Sequence, residues 1–225
     1  MQTRLVFDIE TAGYDFDSLD DQMKEYLLKF AETDEEIEAE KLKINMYAYT
    51  AQTVCIGMLN VDTMKGQVLV QAPEGADRWV SDDGNVEYIP GTEEDVLRGF
   101  WKVVAQYEQI ISYNGRGFDG PFLHLRSAMK NIKPTRNLVP YRYDASRHCD
   151  LLDQMSFYGS YRRFSLDFVC TSMGIESPKR QGVTGMDVWE LFREGNYKDI
   201  AEYNYRDLIA TRELFLRWDN FINIG

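Results

Sequence analysis

Leu5-Val6-Phe7-Asp8-Ile9-Glu10-Thr11 is the stretch on which the fold turns. Its apolar run reads as a buried first strand, residues 4–9, that runs directly into two acids. Residues two apart in a strand project to the same side, so Asp8 and Glu10 are held a few ångströms apart at a strand end. Ionising both there is costly unless a cation neutralises them, and hard oxygen donors select Mg²⁺ or Mn²⁺ over softer metals. An isolated D-x-E is more often two solvated acids on a strand tail. The flanks Leu5-Val6-Phe7 and Ile9 argue for burial instead, where unpaired acids are destabilising.

Outward from this strand, residues 14–45 are rich in Asp, Glu, Lys, Leu and Met. Leu19, Met23, Tyr26, Leu27 and Phe30 recur at helical spacing, which predicts an acidic helical insertion of two helices broken near Thr33-Asp34. Residues 53–61 and 66–71 read as a strand pair joined by a turn at 63–66, and residues 73–91 as a loop with strand fragments. Thr92 is the N-cap of a helix reaching about Tyr107, with Asp95 at its third position. A short strand at 109–113 precedes a helix from about Asp119-Gly120-Pro121, and residues 148–152 form a further strand or strand end. Helices follow over 165–173, ending at Gly174, and over 186–193 and 197–218. Strands first, then strands alternating with helices, predict an α/β chain: a mixed β-sheet flanked by helices.

Composition narrows the class. With 225 residues, 44% apolar and 13% aromatic, the chain has the material for one α/β domain over 1–225. Three scattered cysteines, Cys55, Cys149 and Cys170, exclude a disulfide framework and a CxxC metal site, and fit buried thiols in a reducing, cytoplasmic setting. Met-Gln-Thr-Arg leads into a short apolar run that contains carboxylates, a form no signal peptide has, and no apolar run approaches the roughly 18 residues of a membrane span. The net charge of −12 runs against a phosphate-binding partner at first sight. Much of the acid, however, lies in residues 15–40, and bound divalent cations would bring positive charge of their own.

Two further patterns carry chemistry. In Ser112-Tyr113-Asn114-Gly115-Arg116-Gly117-Phe118-Asp119-Gly120-Pro121-Phe122-Leu123, an apolar strand ends in a glycine-rich turn with an Asp at a helix start. Taken alone, this is a common turn with a capping Asp, although such glycines also admit a phosphate or sugar close to the backbone. In Tyr203-Asn204-Tyr205-Arg206-Asp207 the tyrosine and the final aspartate are four apart and share a helix face.

Asp8, Glu10, Asp119 and Asp207, with Tyr203 four residues before the last, together resemble the four-acid DEDD exonucleases of the RNase H-like superfamily. The tyrosine matches the DEDDy branch. The histidine branch carries its His five residues before the final Asp, where this chain has Glu202. The wording of the middle motif, followed by His148-Cys149-Asp150-Leu151, Ser165-Leu166-Asp167 and Met173-Gly174-Ile175, is similar to the proofreading exonuclease domain of family B DNA polymerases. The likeness spans nearly the whole chain, which implies a stand-alone relative of that domain; the insertion at 14–45 departs from it.

The resemblance implies an RNase H-like fold and a 3′–5′ exonuclease that uses two Mg²⁺ or Mn²⁺ ions about 3.5–4 Å apart to release nucleoside 5′-monophosphates. It implies Asp8 as the ligand shared by both ions, Glu10 and Asp207 with the nucleophile-side ion, Asp119 with the other through water, and Tyr203 orienting the attacking water. Thr11, Asn114 and Phe118 are candidate contacts to the terminal nucleotide. The basic-aromatic run Tyr158, Tyr161, Arg162, Arg163 and Phe164 suits a single strand, with Arg162 and Arg163 as phosphate contacts and Lys179 and Arg180 of lesser weight. Asp150 and Asp167 are not read as ligands, and Trp189, Phe192, Phe215 and Trp218 are read as packing. The expected partner is single-stranded nucleic acid, DNA before RNA, with a protein partner through the acidic insertion also open. The alternatives are an exoribonuclease with the same site and a non-catalytic nucleic-acid- or protein-binding module on the same fold.

Overall fold

The computed structural model describes residues 3–177, 185 and 187–224; Lys179, Arg180 and Met186 lie outside them. Seven strands among the described residues form one mixed sheet in the order β4-β5-β3-β2-β1-β6-β7. They are β1 (Arg4–Gly13), β2 (Ala51–Asn60), β3 (Gly66–Gln71), β4 (Trp79–Val80), β5 (Val86–Gly91), β6 (Gln109–Ser112) and β7 (His148–Asp150). β1 is central, antiparallel to β2 and parallel to β6.

Alternation along β1 divides the core. Leu5, Phe7 and Ile9 face a cluster with Phe100, Trp101 and Leu123. Val6 faces the opposite cluster, with Leu208, Leu214 and Phe215. Helices α3 (Glu93–Val104) and α4 (Asp119–Met129) cover the first face. Helices α6 (Leu166–Ser172), α7 (Val188–Arg193) and α8 (Tyr197–Phe221) cover the second. Asp8 and Glu10 share the parity of Val6 and therefore point toward α8.

Several boundaries differ from the sequence reading. β1 continues four residues past Ile9, so the acid pair lies inside a strand rather than at its end. The apolar run ends at Ile9, but the backbone continues to pair with β2, with a register shift at Glu10/Thr11 that marks a bulge beside the acids. A short helix, α5 (Leu151–Met155), follows β7, capped by the Asp150 carboxylate; five residues are too few for periodicity to announce it. α3 stops at Val104 rather than near Tyr107.

The insertion forms the two expected helices, α1 (Asp21–Leu28) and α2 (Asp34–Lys43). Thr33 and Glu36 close a capping box at the start of α2. Neither helix buries a residue, and Tyr26 and Phe30, placed on an apolar stripe by the sequence, are 78% and 85% exposed. The base of the insertion is well fastened. Thr11 Oγ1 donates to the Asn45 carbonyl at 2.7 Å, and the Gly13 N–H donates to Asn45 Oδ1 at 2.7 Å. No helix among the described residues is long and apolar enough to cross a membrane. All three cysteines are buried free thiols.

Candidate active site

β1 supplies Asp8 and Glu10, and α8 lies across that face. Asp207, four residues and one turn beyond Tyr203, meets the pair there. Ligand oxygens of Asp8, Glu10 and Asp207 all lie within 4.8 Å of one another. Three carboxylates this close repel strongly. The proton affinities of Asp8 and Glu10 are raised well above the ordinary carboxylate range, first by burial and then by neighbouring acids: Glu10, Asp119 and Asp207 for Asp8, and chiefly Asp207 for Glu10. An all-oxygen donor set under such repulsion fits a hard divalent cation.

Asp119 stands at the first turn of α4, beside this trio rather than within it. β6 stops at Ser112, leaving the edge of β1 beyond Val6 without a strand partner on that side. Burial raises the Asp119 carboxyl to about 7, and the backbone N–H groups of Asp119 itself and of Ile9 hold it from rising further. The four acids expected from the sequence are thus gathered at one place, three in mutual contact and the fourth beside them.

Tyr203 is 5% exposed and turned into the same site. Burial, and then the charge of Asp207, raise its proton affinity, so the phenol remains a hydroxyl donor across the working pH range. Neither histidine is near. His148 is sealed between Ser112 Oγ (2.7 Å) and the Leu138 carbonyl (2.7 Å), and burial lowers its pKa to about 3. His124 accepts from the Leu138 N–H. Glu202, at the position of the histidine branch, is exposed.

The candidate substrate contacts divide. Glu10, Tyr203, Thr11 and Phe118 line one cavity of ≈ 630 Å³, to whose wall the insertion contributes Leu42, Lys43 and Asn45, with Met46 just beyond it and Gly185 also present. Thr11 already spends its hydroxyl proton on Asn45. Asn114 occupies a left-handed turn position (φ 66°) with its N–H bound by Asp150, and Asp150 also accepts from Arg116 N and Leu152 N. Asn114 and Asp150 are thereby held in the turn after β6. Arg162 lies over the Phe164 ring, and Arg163 pairs with Asp153 at 3.4 Å. Both line a different cavity of ≈ 470 Å³ that shares no lining residue with the first. The structure does not bring these arginines to the carboxylates. Phe215 and Trp218 are core residues, and Trp189 and Phe192 pack against the same core cluster.

One residue at the site was absent from the sequence reading. Asn204 is fully buried, and its Nδ2 donates to Asp8 Oδ2 at 2.8 Å and reaches Glu10 Oε1 at 3.4 Å. The only signal available was its place inside Tyr203–Asp207, where the eye goes to the tyrosine and the acid.

The profile of the family described as a predicted 3′–5′ exonuclease related to the exonuclease domain of PolB matches residues 80–223, which include Asp119, Tyr203 and Asp207 but not the β1 acids. DNA polymerase 1 of Sulfurisphaera ohwakuensis is 25% identical over 138 residues, covering 55% of this chain and 15% of that polymerase. DNA polymerase 1 of Sulfolobus acidocaldarius is 27% identical over 148 residues, covering 59% and 16%. The chain therefore spans less than a fifth of the length of these relatives. The family B DNA polymerase of Pyrobaculum calidifontis superposes with a TM-score of 0.62 at 19% identity, over 98% of this chain and 25% of that one, and so shares its fold. With the family's profile running through nearly two thirds of the chain, the protein belongs to the family of predicted 3′–5′ exonucleases related to the exonuclease domain of PolB.

Proposed function

We propose that the 225 residues act as one unit, a two-metal 3′–5′ exonuclease that shortens single-stranded DNA to nucleoside 5′-monophosphates. The observation that carries this reading is the cluster of Asp8, Glu10 and Asp207, with ligand oxygens within 4.8 Å of one another and Asp119 beside them. Those acids would hold Mg²⁺ or Mn²⁺; when bound, the cations supply positive charge to the scissile phosphate and acidify water. Tyr203, held protonated, donates its hydroxyl to orient the attacking water and leaves proton removal to the neighbouring carboxylates. Phe118, with Leu42 and Met46, offers apolar surface to the terminal base, and Lys43, paired with Glu40 in the free protein, supplies a cation to the same wall. The insertion thus serves as a wall of the substrate cleft. Arg162, with the stacked Phe164 and Phe168 rings, suits a more distant stretch of the strand. The DNA polymerase names of the relatives support DNA over RNA.

The test is digestion of matched 3′-labelled DNA and RNA oligomers with Mg²⁺ or Mn²⁺. Stepwise mononucleotide release from DNA, abolished by EDTA, is the expected result. Faster release from RNA would make the protein an exoribonuclease, and no release from any strand would leave a binding module. Tyr203→Phe should slow single-turnover cleavage on the order of a hundredfold, the scale of losing one positioned donor, while Mn²⁺ affinity stays at the parent value. An unchanged rate would remove Tyr203 from the chemistry.

A further inference from the structure

Among the described residues, Asn204 is the single hydrogen-bond donor to Asp8 and Glu10. Its amide bridges one oxygen of each. The arrangement has a cost that is visible in the same side chain: Asn204 Oδ1 is buried with no hydrogen-bond partner. Buried amides ordinarily satisfy both ends. Turning the amide over would take its donor from both acids and, once they are ionised, aim its oxygen at two carboxylates.

The orphan oxygen lies against β2. Gly57 is the register partner of Asp8, and paired residues of adjacent strands face the same side. A Cβ at Gly57 would sit 2.0 Å from Asn204 Oδ1 and 2.6 Å from Leu208 Cδ1. Gly57 lies in the extended interior of β2, where no turn calls for glycine, and glycine there weakens a strand. What it provides is the space into which the Asn204 side chain fits.

We propose that Asn204 is a positioning residue for the metal ligands, seated by Gly57: its amide holds one oxygen of Asp8 and one of Glu10 so that their other oxygens face Asp207. A neutral donor is suited to this task. A lysine or arginine at this place would compete with the cation for the same charge, and an aspartate would add a further acid to the repulsion. The proposal rests on the reading of Asp8, Glu10 and Asp207 as ligands, and predicts that metal affinity depends on a side chain that does not itself bind metal.

The experiment is a Mn²⁺ titration without nucleic acid, following free Mn²⁺ by electron paramagnetic resonance, on the parent, Asn204→Leu, Gly57→Ala and the double variant. Thermal unfolding in EDTA is measured in parallel. Asn204→Leu, with the same branched heavy-atom skeleton but no donor, should weaken Mn²⁺ binding by about tenfold to a hundredfold, the range seen when partners that orient metal ligands are removed. Gly57→Ala should weaken it in the same direction by forcing the amide off the acids. The double variant should be no weaker than Asn204→Leu, since the two changes act through one contact. A residue that merely packs would lower the melting temperature in EDTA and leave Mn²⁺ affinity alone; affinity within twofold of the parent in Asn204→Leu overturns the proposal. Should Gly57→Ala fail to fold, Asn204→Leu decides by itself. Absence of Mn²⁺ binding by the parent would instead sink the metal-site reading, a separate outcome visible in the first titration.

Discussion

Asp8→Ala should give a protein that releases no nucleotide yet melts at a higher temperature than the parent in EDTA at pH 8. The two effects have one origin. Burial, then the charges of Glu10, Asp119 and Asp207, raise the proton affinity of Asp8 well above the ordinary carboxylate range. Between the unfolded value of about 3.9 and that raised native value, the folded chain keeps a proton that the unfolded chain has released. Folded stability therefore falls as pH rises through this window. Alanine removes the ionising group and its cost. It also removes a charged hydrogen bond from Asn204, worth about 1.5–3 kcal/mol, but Asn204 keeps Glu10 as an acceptor, and Asp8 is partly open to solvent, which screens both effects. The net gain expected is on the order of 1 kcal/mol, roughly 2–4 °C for a chain of this size. The difference should shrink to nothing near pH 4. In saturating Mn²⁺ the order should reverse, because the parent gains about 2.7 kcal/mol at a metal concentration a hundredfold above Kd and the variant does not. Activity should fall on the order of a thousandfold or more. Calorimetry at pH 4 and 8 with 3′-labelled substrate assays checks every part; near-parent turnover would end the two-metal reading.

Glu93→Ala should cost about 3–5 kcal/mol, the penalty for stranding a buried charge, out of a total folding stability of about 5–15 kcal/mol. Arg126 is 1% exposed and Glu93 4%. The guanidinium meets the carboxylate through two parallel bonds, Nε to Oε1 at 2.8 Å and Nη2 to Oε2 at 2.7 Å. It also donates to the Tyr14 hydroxyl at 2.8 Å and the Ala48 carbonyl at 3.2 Å. Glu93 accepts in addition from the Thr53 N–H at 2.9 Å. Tyr14 and Ala48 bracket the insertion, so this pair ties its two ends to α3 and α4. Two readouts follow: a lower urea midpoint, and faster proteolytic cutting within residues 15–45. Replacing both partners, Glu93→Leu with Arg126→Leu, should recover most of the stability, because no charge is then left buried, while the faster cutting persists. A loss below 1 kcal/mol in Glu93→Ala would show that water reaches the guanidinium.

Much of the architecture was legible in local patterns. Thr92 with Asp95 announced α3, and the break at Thr33-Asp34 separated α1 from α2, because a capping box closes within four residues of chain. The exposure of Tyr26 and Phe30 was not legible. Their spacing was helical, but spacing says nothing about whether another surface arrives to cover them. The same holds for the arginines: Arg162 and Arg163 looked like substrate contacts by composition, and the fold places them on another cavity, with Arg163 against Asp153.

The sequence by itself determined that Asp8 and Glu10 share a face, that Tyr203 and Asp207 share another, and that an Asp stands at the start of α4. Those statements follow from the repeats of 2.0 and 3.6 residues that backbone geometry imposes on any strand or helix. Only the tertiary structure decided that α8 lies on the Asp8–Glu10 side of β1. It decided too that Asp119, at the start of α4, comes beside Asp8, and that Asn204 enters the space above Gly57. These depend on which apolar faces meet between segments as far apart as Asp8 and Asn204, 196 positions along the chain, and no local repeat encodes that choice.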